Sequence, residues 1–371
     1  MSFTLSRQKF FAYILIAVVV SALVSGGSTY YLSQASKPVK EERTLVISVW
    51  GGPWYDGAKK IADEFTKTTG IRTIVTQHTY VLGEAVPKIE ASMPDPAIDV
   101  LYCSIGQFPT MMKKNILAPI DETVVTNLGD TPDSAKYIKD GKTYGVGIYG
   151  FAYILAYRSD YIKEPITSLQ DLLRPELKGK VAIATPEYDA GMFVTYYALA
   201  NGGDEHNPDK AFEYMKKLAQ AGVFGVIVHS DADIIRVLST GEAWVAMSLP
   251  GTLMEPAKKD IPLKPVKILT DLPKQPMAWD GVAVVDGPRK DLAMQYLSFA
   301  LQADKAAQWA SDTSAVPVNT KAPVLDATIL EWNLSPEEMA THGYQRDVQY
   351  CTDHWEEWVT RFEEEIKPLI G

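Results

Sequence analysis

The loop at residues 50–56 holds residue types that suit the binding of a small organic molecule. It reads Trp-Gly-Gly-Pro-Trp-Tyr-Asp. Glycines allow a ligand to approach the backbone closely, and the rings of Trp50 and Trp54 offer flat faces for stacking or for contact with a cation. Both tryptophans are equally consistent with ordinary core packing, so the loop alone leaves the two interpretations open.

The flanking residues place this loop at the carboxyl end of a strand. Residues 45–49 are apolar and rich in β-branched side chains, which is typical of a buried parallel strand. After the loop, apolar residues recur at helical spacing as far as Phe65, Gly70 is a suitable helix stop, and residues 71–75 read as the next strand. Ligands bind at the carboxyl ends of strands in open α/β sheets, so this position favours a binding site.

Three further loops follow predicted strands in the same way. The strands and the loops after them are 98–102 with 103–107, 181–184 with 185–191, and 243–247 with 248–251. Strands and helices alternate along the chain, which predicts an α/β fold with mostly parallel strands. The last helix has the clearest pattern, with one apolar face made of Val348, Cys351, Trp355, Trp358, Phe362 and Ile366.

Composition narrows the function classes. The formal net charge of −10 and the lack of a basic stripe argue against nucleic-acid binding. The two cysteines have no CxxC spacing and the five histidines are scattered, so we predict no metal and no cofactor. Cys103 and Cys351 both fall at apolar positions, and we predict that they are buried free thiols. The length of 371 residues is enough for two domains.

Residues 1–32 have the pattern of an export signal. Arg7 and Lys9 precede an apolar run from Phe10 to Val24, which small polar residues follow. The run extends weakly to Leu32, long enough for a membrane anchor, so cleavage and anchoring both stay open. In either case the positive charges before the run place the folded part outside the cytoplasm. Residues 33–43 form a polar linker.

A series of short motifs then occurs in a characteristic order between residues 45 and 366. They are the opening strand with Trp50, Phe65–Ile71, Asp99–Leu101 with Ser104, Tyr144–Val146, Ser168–Leu172 with Leu177–Lys180, Gly241–Ala243, Trp279–Gly281, Pro317–Asn319 and Gln345–Val348. With this order and spacing the chain resembles the extracellular solute-binding proteins of ABC importers, in the branch that contains the spermidine- and putrescine-binding proteins.

The resemblance implies a two-lobed, type II periplasmic-binding-protein-like α/β fold, with the ligand in the cleft between the lobes. Lobe one would comprise residues 44–148 plus 280–320, and lobe two residues 149–279 plus 321–371, so the chain would cross the hinge more than once. The protein would capture a small solute by closure of the lobes and deliver it to an ABC permease complex in the membrane. We expect an exported monomer, in the periplasm or at the cell surface, without enzymatic activity.

The resemblance also assigns site residues. The positions that match ligand contacts of polyamine binders are Trp50, Ser104, Trp279, Asp280 and Gln345, with Trp279 one place off the family's tryptophan. In that family the aspartate at the place of Asp280 pairs with a ligand ammonium. Other contacts differ, because Leu249 replaces a tryptophan wall, Gly191 lies near the place of a glutamate, and Ala315 lies near that of a tyrosine. Ordinary spermidine-type recognition is therefore not expected.

The strand-end loops add further candidate ligand contacts, namely Trp54, Glu187, Tyr188, Asp189 and Ser248. Glu187 or Asp189 would replace the lost glutamate after a small loop shift. The loops that the resemblance places at the cleft contain no Lys or Arg, so we predict a cationic or amine-bearing, polyamine-like solute. Two helix N-termini oppose this by favouring anions, and either acid is also suited to capping the second helix.

Two other functions stay open. One is a membrane-tethered ligand sensor with the same lobes. The other is an extracellular hydrolase that uses paired carboxylates such as Glu187 and Asp280. It is less favoured, because no nucleophile elbow, metal motif or Ser-His-Asp arrangement is visible. A ferric-ion site is disfavoured as well, because residues 248–252 lack the tyrosine pair that iron binders carry there.

Overall fold

The computed structural model describes residues 44–78 and 85–370, apart from the side chains of Asp189 and Ala190. The predicted export signal and linker, residues 1–43, lie outside the described residues. Among the helices of the described ranges, none combines the length and the apolar character that a membrane crossing requires.

Thirteen strands are present in the described residues. In chain order they are β1 (Thr44–Val49), β2 (Arg72–Gln77), β3 (Val100–Ser104), β4 (Lys136–Lys139), β5 (Lys142–Ala152), β6 (Ile154–Arg158), β7 (Val181–Ala184), β8 (Phe224–Val228), β9 (Val245–Ser248), β10 (Leu263–Val266), β11 (Gln275–Val284), β12 (Val316–Pro317) and β13 (Gly343–Gln345).

The strands form two sheets. The first follows the order β12-β5-β11-β3-β1-β2, with β4 paired to β5 and β13 paired to β11. In it β1 is parallel to both β2 and β3, whereas β11 is antiparallel to β3 and β5. The second sheet follows the order β10-β6-β9-β7-β8, with β7 parallel to β8 and β9. Parallel pairs need crossover helices, which explains the alternation seen in the sequence.

The helices surround these sheets. They are α1 (Pro53–Thr69), α2 (Ala85–Ser92), α3 (Phe108–Lys113), α4 (Met192–Ala200), α5 (Pro208–Gln220), α6 (Asp231–Thr240), α7 (Pro250–Ala257), α8 (Lys290–Ala300), α9 (Ala303–Asp312), α10 (Ile329–Trp332), α11 (Pro336–His342) and α12 (Val348–Arg361). A π-helical turn at Phe362–Ile366 continues α12.

Helix α1 ends where the sequence predicts, but it begins at Pro53, inside the 50–56 segment that the sequence analysis treats as a loop. Pro53 occupies its first turn, where a missing N–H costs nothing. Its buried face contains Ala58, Ile61 and Phe65, which are spaced by three and four residues. Gly70 ends the helix in the left-handed conformation with φ of 72°, and its N–H donates to Thr66 O at 2.9 Å.

The chain changes sheet in two connections near the middle of the molecule. Only Tyr153 separates β5 of the first sheet from β6 of the second, and the chain returns between β10 and β11. The lobe boundaries 148/149 and 279/280 stay predictions.

Strand β11 contains Pro276 and Gly281, residue types that are more usual in loops than inside strands. It is one continuous strand from Gln275 to Val284, paired on both sides, with a β-bulge between Asp280 and Gly281. Gly281 lies at this bulge, and the neighbouring strands pair with the backbone N–H and C=O groups of β11 on both sides.

The predictions for the last helix and the cysteines can also be compared with the structure. Cys351, Trp358, Phe362 and Ile366 are buried, whereas Val348 and Trp355 are half-buried. Cys103 and Cys351 are both buried free thiols, as predicted.

Candidate functional site

A cavity of about 360 Å³ lies among residues from both sheets and their loops. This volume falls in the range of small-molecule sites, about 300–1,000 Å³. Its lining consists of Trp50, Gly51, Trp54, His78, Tyr149, Phe151, Asp231, Leu249, Gly251, Asp280, Ser314 and Ala315. The lining therefore combines strand-end loops, the N-terminal turns of helices and strand interiors from distant parts of the chain.

Asp280 is held in place by a short hydrogen-bond chain. It lies in β11 opposite Ser104 of β3 and Tyr149 of β5, and it is 6% exposed. The Tyr149 hydroxyl donates to Asp280 Oδ2 at 2.6 Å, and Trp54 Nε1 donates to that hydroxyl at 2.7 Å. Hydrogen bonds to an ionised group are stronger than neutral ones, so this chain fixes the direction of the carboxylate.

Asp231 is the second carboxylate of the lining. It lies after β8, a strand of the second sheet. It is the first residue of α6, after the N-cap Ser230, whose Oγ accepts from Asp233 N at 3.2 Å. Asp231 Oδ1 accepts from Thr252 Oγ1 at 2.5 Å and from the Tyr188 hydroxyl. These donors orient the side chain, and its position at a helix N-terminus favours the negative charge.

The charged side chains of the lining are all acidic. Among its described residues, two are carboxylates and none is Lys or Arg. Burial lowers the pKa of His78 to about 4, so the imidazole is neutral near pH 7. Negative charge therefore dominates the cavity.

Aromatic rings form the walls beside these acids. The Trp50 and Trp54 ring centroids are 6.4 Å apart at an interplanar angle of 74°, and those of Tyr149 and Phe151 are 6.1 Å apart. Such faces attract cations, by about 0.5–2 kcal/mol for each well-placed ring. Within the described residues, no cluster of three or more His, Cys, Asp or Glu side chains could hold a metal ion.

Comparison with known families agrees with this geometry. The profile of the family described as bacterial extracellular solute-binding protein matches residues 60–335, more than half of the chain. The chain belongs to this family. It is therefore an extracellular solute-binding protein, a class that is not enzymatic, as the sequence analysis expects.

Solved structures show the fold of this solute-binding protein. An ABC transporter protein from Clostridium perfringens has 20% identity and a TM-score of 0.72 over 87% of this chain and 100% of that chain. An extracellular solute-binding protein from Bordetella parapertussis has 18% identity and a TM-score of 0.74 over 88% and 99%. A spermidine/putrescine substrate-binding protein from Streptococcus pneumoniae has 16% identity and a TM-score of 0.70 over 88% and 100%. The two sheets match their two-lobed periplasmic-binding-protein fold, so the predicted fold class is confirmed.

Only some of the sequence-predicted site residues line the cavity of this solute-binding protein. Trp50, Trp54 and Asp280 line it, and Ser104 pairs with Asp280 in the neighbouring strand. The Tyr188 hydroxyl donates to Asp231 Oδ1 and lies 2.9 Å from Ser248 Oγ, so Tyr188 contacts a lining residue and Ser248 contacts Tyr188.

Other predicted residues lie elsewhere. Trp279 and Gln345 line a different cavity of about 690 Å³. Consecutive strand residues point to opposite faces of a sheet, so Trp279 faces away from the side on which Asp280 lies. Trp279 Nε1 donates to Ser134 O at 2.9 Å, and its ring packs on Phe108. Glu187 is exposed, and the side chain of Asp189 lies outside the described residues.

Five lining residues of the solute-binding protein lie outside the loops and positions that the sequence analysis considers, namely His78, Tyr149, Phe151, Asp231 and Ser314. Asp231 comes soon after β8, which resembles the other strand-end positions. In the sequence, its position in a helix-capping segment already explains why an aspartate occurs there. Its position in the cavity lining is therefore not evident from the sequence. His78 directly follows β2, and the strand-end rule would have found it.

Proposed function

We propose that this protein is the substrate-binding component of an ABC importer and captures a small cationic or amine-bearing solute between Asp231 and Asp280. The observation that carries the proposal is that two carboxylates, Asp280 of β11 and Asp231 at the start of α6, line one cavity whose described lining has no Lys or Arg. A charge-assisted hydrogen bond to each acid would contribute about 1.5–3 kcal/mol. The four aromatic walls would add cation–π contacts.

Helix N-termini are the main competing influence, since they favour anions. Trp50 and Gly51 precede α1, Gly251 lies at the start of α7, and Asp231 begins α6. Three such ends supply at most about 1.5 positive charges against two carboxylates. In addition, α1 begins with Pro53 and α7 with Pro250, and proline lacks the N–H that an anion would accept from. The balance favours a cation.

The fold by itself does not determine which ligand a protein binds. Structures of this fold include a GABA receptor and a Trichodesmium protein in complex with iron and citrate, at 20% and 15% identity to this chain. The lining must therefore determine specificity. Leu249 and Ala315 both line the cavity, and they give it apolar surface where polyamine binders have a tryptophan and a tyrosine. This supports an amine ligand that is not bound in the ordinary spermidine manner.

The remaining parts of the proposal follow from the transport role. Lobe one, residues 44–148 plus 280–320, would close on lobe two by a hinge motion when the solute binds. The closed monomer would then deliver the solute to a membrane permease. Residues 1–32 would direct export, and the mass of the mature N-terminus would show whether they are removed or retained as a tether.

Mass spectrometry of small molecules released from the purified, denatured protein tests the proposal. We expect a compound with at least one ammonium group. A thermal-shift panel of primary amines, carboxylates and phosphates provides the second measurement, and we expect stabilisation by amines alone. Stabilisation only by carboxylates or phosphates would overturn the proposal.

A further inference from the structure

His78 lines the cavity and carries a buried polar atom without a hydrogen-bond partner among the described residues. It is 7% exposed, and its Nδ1 lies 2.9 Å from Ser48 Oγ. Its Nε2 is buried and has no hydrogen-bond partner among the described residues. The ring lies beside Trp50, with centroids 5.8 Å apart, and belongs to the cavity lining. A buried polar atom without a partner is rare in native proteins, and in a ligand pocket the ligand commonly supplies the partner.

The chemistry of this atom is that of an uncharged group. Burial holds the pKa of His78 near 4, so the ring offers a hydrogen-bonding position without a charge near pH 7. One tautomer makes Nε2 an acceptor and the other makes it a donor, depending on how Nδ1 shares a proton with Ser48. A hydroxyl both donates and accepts, so it satisfies either tautomer. A carboxylate at this position would have no Lys or Arg of the described lining to neutralise it.

The sheet register sets the distance between His78 and Asp280. The strands run in the order β11-β3-β1-β2, and His78 follows β2 directly, with its N–H donating to Val49 O of β1 at 2.9 Å. Neighbouring strands are about 4.8 Å apart, so three spacings separate the two backbones by roughly 14 Å. A solute that contacts both side chains must bridge the part of this distance that the side chains do not cover, which suits an extended chain.

We propose that His78 Nε2 binds an uncharged hydrogen-bonding group, typified by a hydroxyl, at the end of the solute opposite its ammonium. The inference rests on the proposed function, because it assigns the ammonium to the acidic part of the cavity. His78 is then a specificity-determining residue, since it separates amines that carry a second polar end from amines that do not.

Calorimetry with three series of linear probes tests this inference. The series are amino alcohols, alkylamines and ω-amino carboxylates of matched chain lengths. We expect the best amino alcohol to bind wild-type protein about three- to tenfold more tightly than its matched alkylamine, as one neutral hydrogen bond gives. In His78→Phe this preference should vanish, so that the best amino alcohol and its matched alkylamine bind the variant with affinities within about twofold of each other. The exposed His229→Phe is the matched control and should keep the preference.

Two further variants and a folding check distinguish a loss of hydroxyl recognition from a loss of structure. His78→Phe leaves Ser48 Oγ without its imidazole partner, so the double variant Ser48→Ala/His78→Phe removes both polar groups together. His78→Gln retains an amide that can donate or accept, and it should restore part of the preference. Far-UV circular dichroism of each variant should match that of the wild type before binding is compared.

The outcomes separate the inference from the proposed function. If amines bind and Asp280→Asn weakens them, yet hydroxyl preference is missing or survives in His78→Phe, the inference is wrong and the function stands. If the ω-amino carboxylates bind best and lose this advantage in His78→Phe, the imidazole binds an anion and the inference is again wrong. If no amine of any series binds, the proposed function is wrong, and the inference falls with it.

Discussion

Acidification should destabilise the protein through His78. The pKa of this side chain falls from 6.5 to about 4 on folding because burial disfavours the imidazolium form. Between these values the unfolded chain binds a proton that the folded chain excludes. The contribution of His78 to the free energy of unfolding is therefore highest above pH 6.5 and falls as the pH drops toward 4.

The size of the effect follows from the shift. A difference of about 2.5 pKa units, at about 1.36 kcal/mol each, limits the total loss to roughly 3 kcal/mol. Between pH 7 and pH 4.5 we expect His78 alone to remove roughly 2 kcal/mol of stability. The free energy of unfolding of a native protein is typically about 5–15 kcal/mol, so this loss is a large fraction of it.

Urea unfolding of wild type and His78→Gln at both pH values measures this contribution. Other titrating groups are common to the two proteins, so the difference between their pH dependences isolates His78. We expect the variant to lose roughly 2 kcal/mol less than the wild type on acidification. His342→Gln, a change at an exposed histidine, is the control and should follow the wild type. Equal pH dependences in His78→Gln and wild type would refute the reasoning.

Two further predictions concern packing. Burial raises the pKa of both thiols, that of Cys351 to about 11, so a maleimide reagent should label neither cysteine in native protein and both in denaturant; rapid native labelling of either would contradict this. Gly191 has φ of 80°, and an added Cβ would lie 2.5 Å from a ring carbon of Trp358. Gly191→Ala should therefore lower the free energy of unfolding by about 1–3 kcal/mol more than Gly202→Ala, which shares the positive φ but meets open space; equal losses in urea unfolding would count against it.

Local sequence patterns predict much of the fold because its elements carry their own boundary signals. Strand β7 occupies the predicted residues 181–184, and α1 ends at Gly70 through a left-handed cap. The pattern misleads in β11, where Pro276 and Gly281 read as loop residues. Pairing with β3 and β5 on both sides makes this segment a strand, and such pairing is not visible in a single segment.

The site is harder to predict, because contacts between distant residues select its members. Trp279 and Asp280 are adjacent in the sequence, yet strand alternation places them on opposite faces. Asp231 looks like a helix-capping residue until Thr252 and Tyr188 are seen to orient it. His78 is an exception, since its place directly after β2 marks it in the sequence, but its contact with Ser48 depends on the pairing of β1 and β2.

Calorimetry of the acidic variants tests the central claim most directly, with the amine that best stabilises the wild-type protein as ligand. Asp280→Asn and Asp231→Asn should each weaken binding by at least about tenfold, or roughly 1.4 kcal/mol, because each removes a charge-assisted hydrogen bond. Glu187→Gln removes an exposed acid that is not part of the cavity lining and should leave the affinity within about twofold. Unchanged affinity in both asparagine variants would contradict the account.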